Sequence, residues 1–183
     1  MSEQDLVRHC APTLAGIKTG SLFTCPCKSR KALLDCIRRL NLQFARKGLR
    51  LLPLRFSDNK ALIYLYRPGK LRADLSVPEA MSILYSCGYK NLQCDHCVAC
   101  LARKLRENTV FPHEIGLFLG YPPEDVHGFM ENKACGCKCT GCWKVYGDEA
   151  AAKKKFDLYH KCTRVYCDCH ARGRSLERLA VAG

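Results

Sequence analysis

Fifteen cysteines stand in 183 residues, and they are bunched rather than scattered. They fall as Cys25-x-Cys27, Cys94-xx-Cys97-xx-Cys100, Cys135-x-Cys137-x-Cys139-xx-Cys142, and Cys162 followed by Cys167-x-Cys169-His170, with Cys10, Cys36 and Cys87 single. An odd number cannot pair completely into internal disulfides. Thiols at such spacing suit a soft metal or an iron–sulfur cluster, and few other chemistries need so many. They are not needed as staples. A chain of this length buries roughly 70% of its unfolded surface, and with 48% hydrophobic residues it reads as one globular domain over 1–183.

The start, Met-Ser-Glu-Gln-Asp, is polar with no apolar stretch of secretory length behind it, and nowhere is there a run of about 18 apolar residues. No export signal and no membrane span are therefore expected, and the chain reads as cytoplasmic, where thiols stay reduced. The formal charge is +13, from 30 Lys and Arg against 17 Asp and Glu. Such an excess attracts nucleic acid or acidic surfaces. Here the basic residues are dispersed, and thiolates on a metal would offset part of the charge.

The pattern of elements is α+β, mostly helical, with a small antiparallel sheet. Pro12 is placed as the first residue of a helix, with Leu14, Ile17, Ser21 and Leu22 as a short amphipathic run ending near Cys25-Pro26-Cys27. A longer helix follows from about Ser29 to Arg46, striped by Leu33, Ile37, Leu40 and Phe44 and closed at Gly48. Residues 49–56 and 60–66, parted by Ser57-Asp58-Asn59, are a hairpin over about 49–66, and Pro53 puts its first strand at an edge or a bulge. Helices are expected over about 77–86 and 93–107, from His113 to Gly120, and from Pro122-Pro123 through Glu131. A Cys/Gly-rich loop covers 134–142, a strand about 142–146, and Asp148 caps a last helix running to about Ala171.

Cys135, Cys137, Cys139 and Cys142 are the leading metal ligands. They sit among Gly136, Lys138, Thr140 and Gly141, which are poor core residues, and Lys138 would favour thiolate. Zinc and an iron–sulfur centre both accept four thiolates. Cys94, Cys97 and Cys100 come next; the first two also share a helical stripe with Val98, Leu101 and Leu105, and free cysteine behaves as a small buried hydrophobe. Cys162, Val165 and Cys169 share a stripe with Leu158 and read as packing. A rival chemistry is a thiol enzyme. Cys10, just before the Pro12 helix, would gain from its unpaired N–H groups, with His113 as base and Glu114 beside it. A further rival is a helix-turn-helix over 114–131. Its second helix offers Glu124, Asp125 and Glu131 where recognition needs cations or amides, so nucleic acid is disfavoured.

Three stretches carry a resemblance: HCAPTLAGIKTGSLF (9–23), FPHEIGLFLGYPPEDVHGF (111–129) and GCWKVYGDEAAAKKKF (141–156). With ALIYLYRP (61–68) and the tail CTRVYC…GRSLERL, the chain resembles an uncharacterised family of small bacterial proteins, mainly from anaerobes, built on a domain of unknown function. The resemblance implies a cytoplasmic bacterial protein. Its pattern includes a cysteine at Cys10, Arg67-Pro68, His113-Glu114, Trp143-Lys144-Val145-Tyr146 and a cysteine at Cys162, and is less dense in cysteine at 94–100 and 135–142. Arg67 and Lys144 are taken as candidate cofactor-binding residues. The expectation is thus a cysteine-rich protein holding zinc or an iron–sulfur cluster, in a redox or metal-handling role and with a partner of that kind.

Overall fold

The polar N-terminus is a helix start. In the computed structural model, which describes residues 1–107, 110–133 and 135–183, α1 runs Glu3–Leu14 from a reciprocal cap. The Asp5 N–H donates to the Ser2 hydroxyl at 3.1 Å and the Ser2 N–H donates to the Asp5 carboxylate at 3.0 Å. Pro12 therefore lies in the last turn and does not open the helix, and its carbonyl accepts from the Ile17 and Lys18 N–H groups. The run expected as helix after it is instead strand β1, Gly20–Pro26, so Cys25 and Cys27 mark a strand end. Leu14 belongs to α1, and Leu22 to a strand whose Phe23 and Cys25 alternate inward.

The chain divides into two compact units, Met1–Gly69 with Tyr159–Gly183, and Lys70–Leu158. In the first unit, α2 (Arg30–Ala45) starts at Ser29, whose hydroxyl accepts from the Ala32 N–H, and it buries the expected stripe of Leu33, Ile37, Leu40 and Phe44. Strands β2 (Arg50–Ser57) and β3 (Lys60–Tyr66) form the hairpin. Asp58 and Asn59 both take positive φ, as a tight two-residue turn between right-twisted strands requires. The sheet order is β1-β3-β2, all antiparallel, with Phe23 opposite Ile63 and Leu51 opposite Leu65. β2 is an edge, and its register shifts between Pro53 and Arg55, so Pro53 occupies both places a proline tolerates in a sheet. α1 and α2 cover this sheet, and Leu6, Val7, Cys10, Phe44, Ile63 and Leu65 lie in one apolar cluster.

The second unit holds α4 (Pro78–Ser86), α5 (Cys94–Glu107), the single turn α6 (Ile115–Phe118), α7 (Pro123–Asn132), and a hairpin of β4 (Cys139–Thr140) with β5 (Lys144–Val145). α3 (Pro68–Leu75) and the short α9 (Leu176–Leu179) were not anticipated; the latter is capped by Ser175. His113 and Glu114 form the turn before α6 and do not begin a helix. The strand expected at about 142–146 is shorter, and its partner β4 lies inside the expected 134–142 loop, whose first position, 134, is outside the described residues. The long helix α8 (Glu149–Ala171) contributes 149–158 to the second unit and 159–171 to the first. Its inward positions are Ala152, Phe156 and Tyr159; of the stripe expected to pack, Leu158 and Val165 are 49% and 46% exposed, whereas Cys162 is half-buried and Cys169, with Tyr166, packs against the core of the first unit. Among the described residues no helix is long and apolar enough to cross a membrane.

Candidate functional site

A buried carboxylate organises the second unit. Asp125 sits in the first turn of α7 with 3% of its surface exposed, contrary to its reading as a solvent-facing acid. One oxygen accepts from the Trp143 indole N–H at 2.7 Å; the other accepts from the backbone N–H of Tyr146 at 2.7 Å and of Gly147 at 2.8 Å. A single side chain thereby fixes the residues on both sides of β5, Trp143 before it and Tyr146 and Gly147 after it, against α7. Two glycines allow the approach. A Cβ on Gly128 would run into the Tyr146 side chain, and one on Gly147 would run into the Glu124 side chain.

The indole that Asp125 orients becomes one wall of a cavity of about 440 Å³. Tyr121 stacks on Trp143 with centroids 4.7 Å apart, and Phe156 meets its edge at 4.5 Å. Across the cavity the His113 ring stands edge-on to Phe129 at 5.0 Å. Phe111 adds a further aromatic wall, and His113, Asp125 and Lys144 line the space together with the Tyr121 phenol. That volume lies within the range of small-molecule sites, and aromatic walls with a few polar groups are their usual composition.

Glu114 is directed elsewhere. Its carboxylate accepts from Lys104 Nζ at 2.7 Å and from the Tyr89 hydroxyl at 3.3 Å, and Lys104 also donates to the Cys87 carbonyl at 2.7 Å while lying over the Tyr89 ring. Burial first, and then the adjacent Glu114 charge, push the Tyr89 hydroxyl well above its ordinary range. Glu114 is part of a buried ion pair, and His113 faces the cavity.

Cys10 does not meet the conditions set for a nucleophile. It lies in the third turn of α1, not at a helix N-terminus, and none of its surface is exposed. Burial pushes its thiol far up, against smaller lowering effects of Lys18 and the Ser21 hydroxyl. It belongs to the first unit and His113 to the second. Arg67, 2% exposed, donates from Nε to the Thr13 carbonyl at 2.7 Å, from Nη2 to the Leu14 and Val181 carbonyls at 2.8 Å, and from Nη1 to that of Lys47 at 3.2 Å. Its guanidinium therefore binds α1, the end of α2 and the C-terminal segment together within the first unit.

Cys94 and Cys97 face the core from α5 beside Val98, Leu101 and Leu105, and Cys97 donates to the Asn91 carbonyl at 3.5 Å. Its thiol is pushed up to about 11, by burial first and then by Cys94 and Cys100. Cys100 is half-buried, 3.9 Å from an Arg103 nitrogen. In the hairpin Cys135 is exposed and Cys137, Cys139 and Cys142 are half-buried; Cys137 lies 3.7 Å from the Thr140 hydroxyl. Lys138 donates to the Gly147 carbonyl at 2.7 Å and closes the hairpin. Among the described residues no three His, Cys, Asp or Glu side chains gather as a metal would need.

α6 is one turn, and α7 exposes Glu124, His127 and Glu131, a surface that does not suit a phosphate backbone. Sequence reasoning singled out His113 and Lys144 separately but missed Asp125, Tyr121 and Phe129. The usable signal was a lone tryptophan one residue from Lys144, whose buried N–H needs an acceptor.

The chain belongs to the family described as protein of unknown function (DUF3793), whose model matches residues 6–180 and so extends across both units. No curated protein and no solved structure matches it.

Proposed function

We propose that this member of the family binds a flat, largely apolar small molecule bearing an acidic group in the aromatic cavity of the second unit. The observation that carries the reading is the cavity of about 440 Å³ walled by Phe111, Tyr121, Phe129 and Trp143, with His113 and Lys144 lining it. Aromatic faces suit a ring system, and the ammonium of Lys144 suits a carboxylate or sulfonate. Trp143 is the chain's one tryptophan and reports directly on the site. Titration with 1-anilinonaphthalene-8-sulfonate should quench its emission saturably. Lys144→Ala should weaken that probe about tenfold, the worth of one charge-assisted hydrogen bond, while sparing the uncharged N-phenyl-1-naphthylamine. Quenching that never saturates, or equal affinity of the anion for both proteins, would sink the reading.

A second reading keeps zinc or an iron–sulfur cluster for Cys135, Cys137, Cys139 and Cys142, in a redox or metal-handling role. It is supported by the spacing of these thiols among Gly136, Lys138, Thr140 and Gly141, which are poor core residues, and it requires the four side chains to close together from the positions they hold here. Protein purified without oxygen should then carry stoichiometric zinc, or iron with acid-labile sulfide, lost on Cys137→Ser with Cys139→Ser. Metal-free protein under those conditions would dispose of it.

A further inference from the structure

A groove of about 320 Å³ in the first unit is lined by Gln4, Val7 and Arg8 of α1 and by Cys167, His170 and Ala171 of α8. Cys167 and His170 are three apart on the helix, so their side chains are neighbours on one face. The imidazole is held in one tautomer. α8 ends in a Schellman motif, in which the Gly173 N–H donates to the His170 carbonyl at 2.9 Å, the Arg174 N–H donates to that of Cys169 at 3.0 Å, and Gly173 takes φ +86°. This closure places the Arg174 carbonyl 3.2 Å from His170 Nδ1. A carbonyl only accepts, so Nδ1 carries the hydrogen, and in the neutral ring Nε2 is the nitrogen with the lone pair. A thiol, an imidazole oriented by its Nδ1 contact and a guanidinium thus share one groove. Of the other thiols of this unit, Cys10 and Cys25 are 0% and 1% exposed and burial pushes Cys162 up to about 11, while Cys27, Cys36 and Cys169 are half-buried as Cys167 is but do not line this groove.

We infer that this groove is a thiol-exchange site, at which Cys167 reacts with small anionic disulfides such as glutathione disulfide. The Cys167 proton passes to His170 Nε2, and the sulfur attacks one sulfur of the disulfide. That S–S bond breaks as the mixed disulfide forms. The departing thiolate then takes the proton, so Cys167 is oxidised while half of the reagent is reduced to thiol. Arg8, on the opposite helix, holds a carboxylate of the incoming molecule. The site is independent of the aromatic cavity of the second unit and stands whether or not that cavity binds a ligand.

The test is exchange on the intact, reduced protein with glutathione disulfide and with uncharged 4,4′-dithiodipyridine, the modified position being followed by mass spectrometry. Cys167 should be the first cysteine modified by glutathione disulfide. His170→Ala should slow both reagents by about a hundredfold, the low end of what a positioned base contributes, and added imidazole should restore part of the rate. Arg8→Ala, at an exposed position, should slow glutathione disulfide about fivefold, as loss of one solvent-screened charge contact would, and leave the uncharged reagent unaffected. Modification of exposed Cys135 ahead of Cys167, a rate unchanged in His170→Ala, or a slowed rate that imidazole leaves untouched overturns the assignment.

Discussion

Arg67 in the first unit and Lys104 in the second are both basic side chains withdrawn from water, and they are satisfied by opposite means. Four backbone carbonyls receive the Arg67 guanidinium, whose planar fork reaches several segments at once. Lys104 is met by a full opposite charge, the Glu114 carboxylate at 2.7 Å, with a tyrosine hydroxyl and ring beside it. The carbonyls belong to the backbone and cannot be mutated away, whereas the carboxylate can be replaced together with its partner. A buried charge held by dipoles is therefore harder to remove than one held by a counter-charge.

The largest expected effect follows from that difference. Arg67→Met should cost about 5 kcal/mol, because several buried acceptors lose their donor at roughly 1–3 kcal/mol each, measured by urea unfolding. Glu114→Ala should cost about 3–5 kcal/mol by leaving an ammonium without its partner. The double change Lys104→Met with Glu114→Leu should return to within about 1 kcal/mol of the parent. If Arg67→Met proves as mild as that double change, the contrast between the two units fails.

Alkaline titration sharpens the comparison on another axis. Cys10 in the first unit and Tyr89 in the second are acids whose folded pKa lies above the ordinary values of 9.0 and 10.0, burial being the main cause in both. The unfolded chain loses these protons first, so their contribution is intact below pH 9 and is lost as pH rises, at about 1.4 kcal/mol per pH unit for each group. Unfolding of Cys10→Ala between pH 9 and 10 should show a slope shallower by about 1 kcal/mol, since the unfolded thiol is only partly deprotonated at the start of that interval; an unaltered slope would mean that Cys10 is not the buried thiol described. A smaller change is expected at the pocket. Asp125→Asn keeps an acceptor for two of its three donors and should cost about 1–2 kcal/mol, with Trp143 emission shifting to the red. The smallest lies at the α1 cap, where Ser2→Ala should cost about 1 kcal/mol and leave Trp143 emission unmoved.

Much of the fold was legible because its signals are local. Ser29, the 33-37-40-44 stripe, Asp58-Asn59 and Pro53 each state their role within a few residues, and the structure confirms all four. The N-terminus misled because Pro12 is tolerated in a last turn as well as in a first one, and the Ser2–Asp5 cap was passed over as a polar end. The site was legible only in fragments. His113 and Lys144 were named singly, and Asp125 was assigned to solvent because its three hydrogen-bond donors lie 18 to 22 residues further along the chain.

The order of amino acids alone determined the α+β class, the family, most helices and the main hairpin, since caps, turns and apolar periodicity act over one or two turns of chain. Tertiary structure decided which ionisable groups are buried, that Glu114 faces Lys104 while His113 faces the cavity, and which cysteines are core and which exposed. Those outcomes depend on desolvation and on partners distant in the chain, and neither is encoded in the spacing of neighbouring residues.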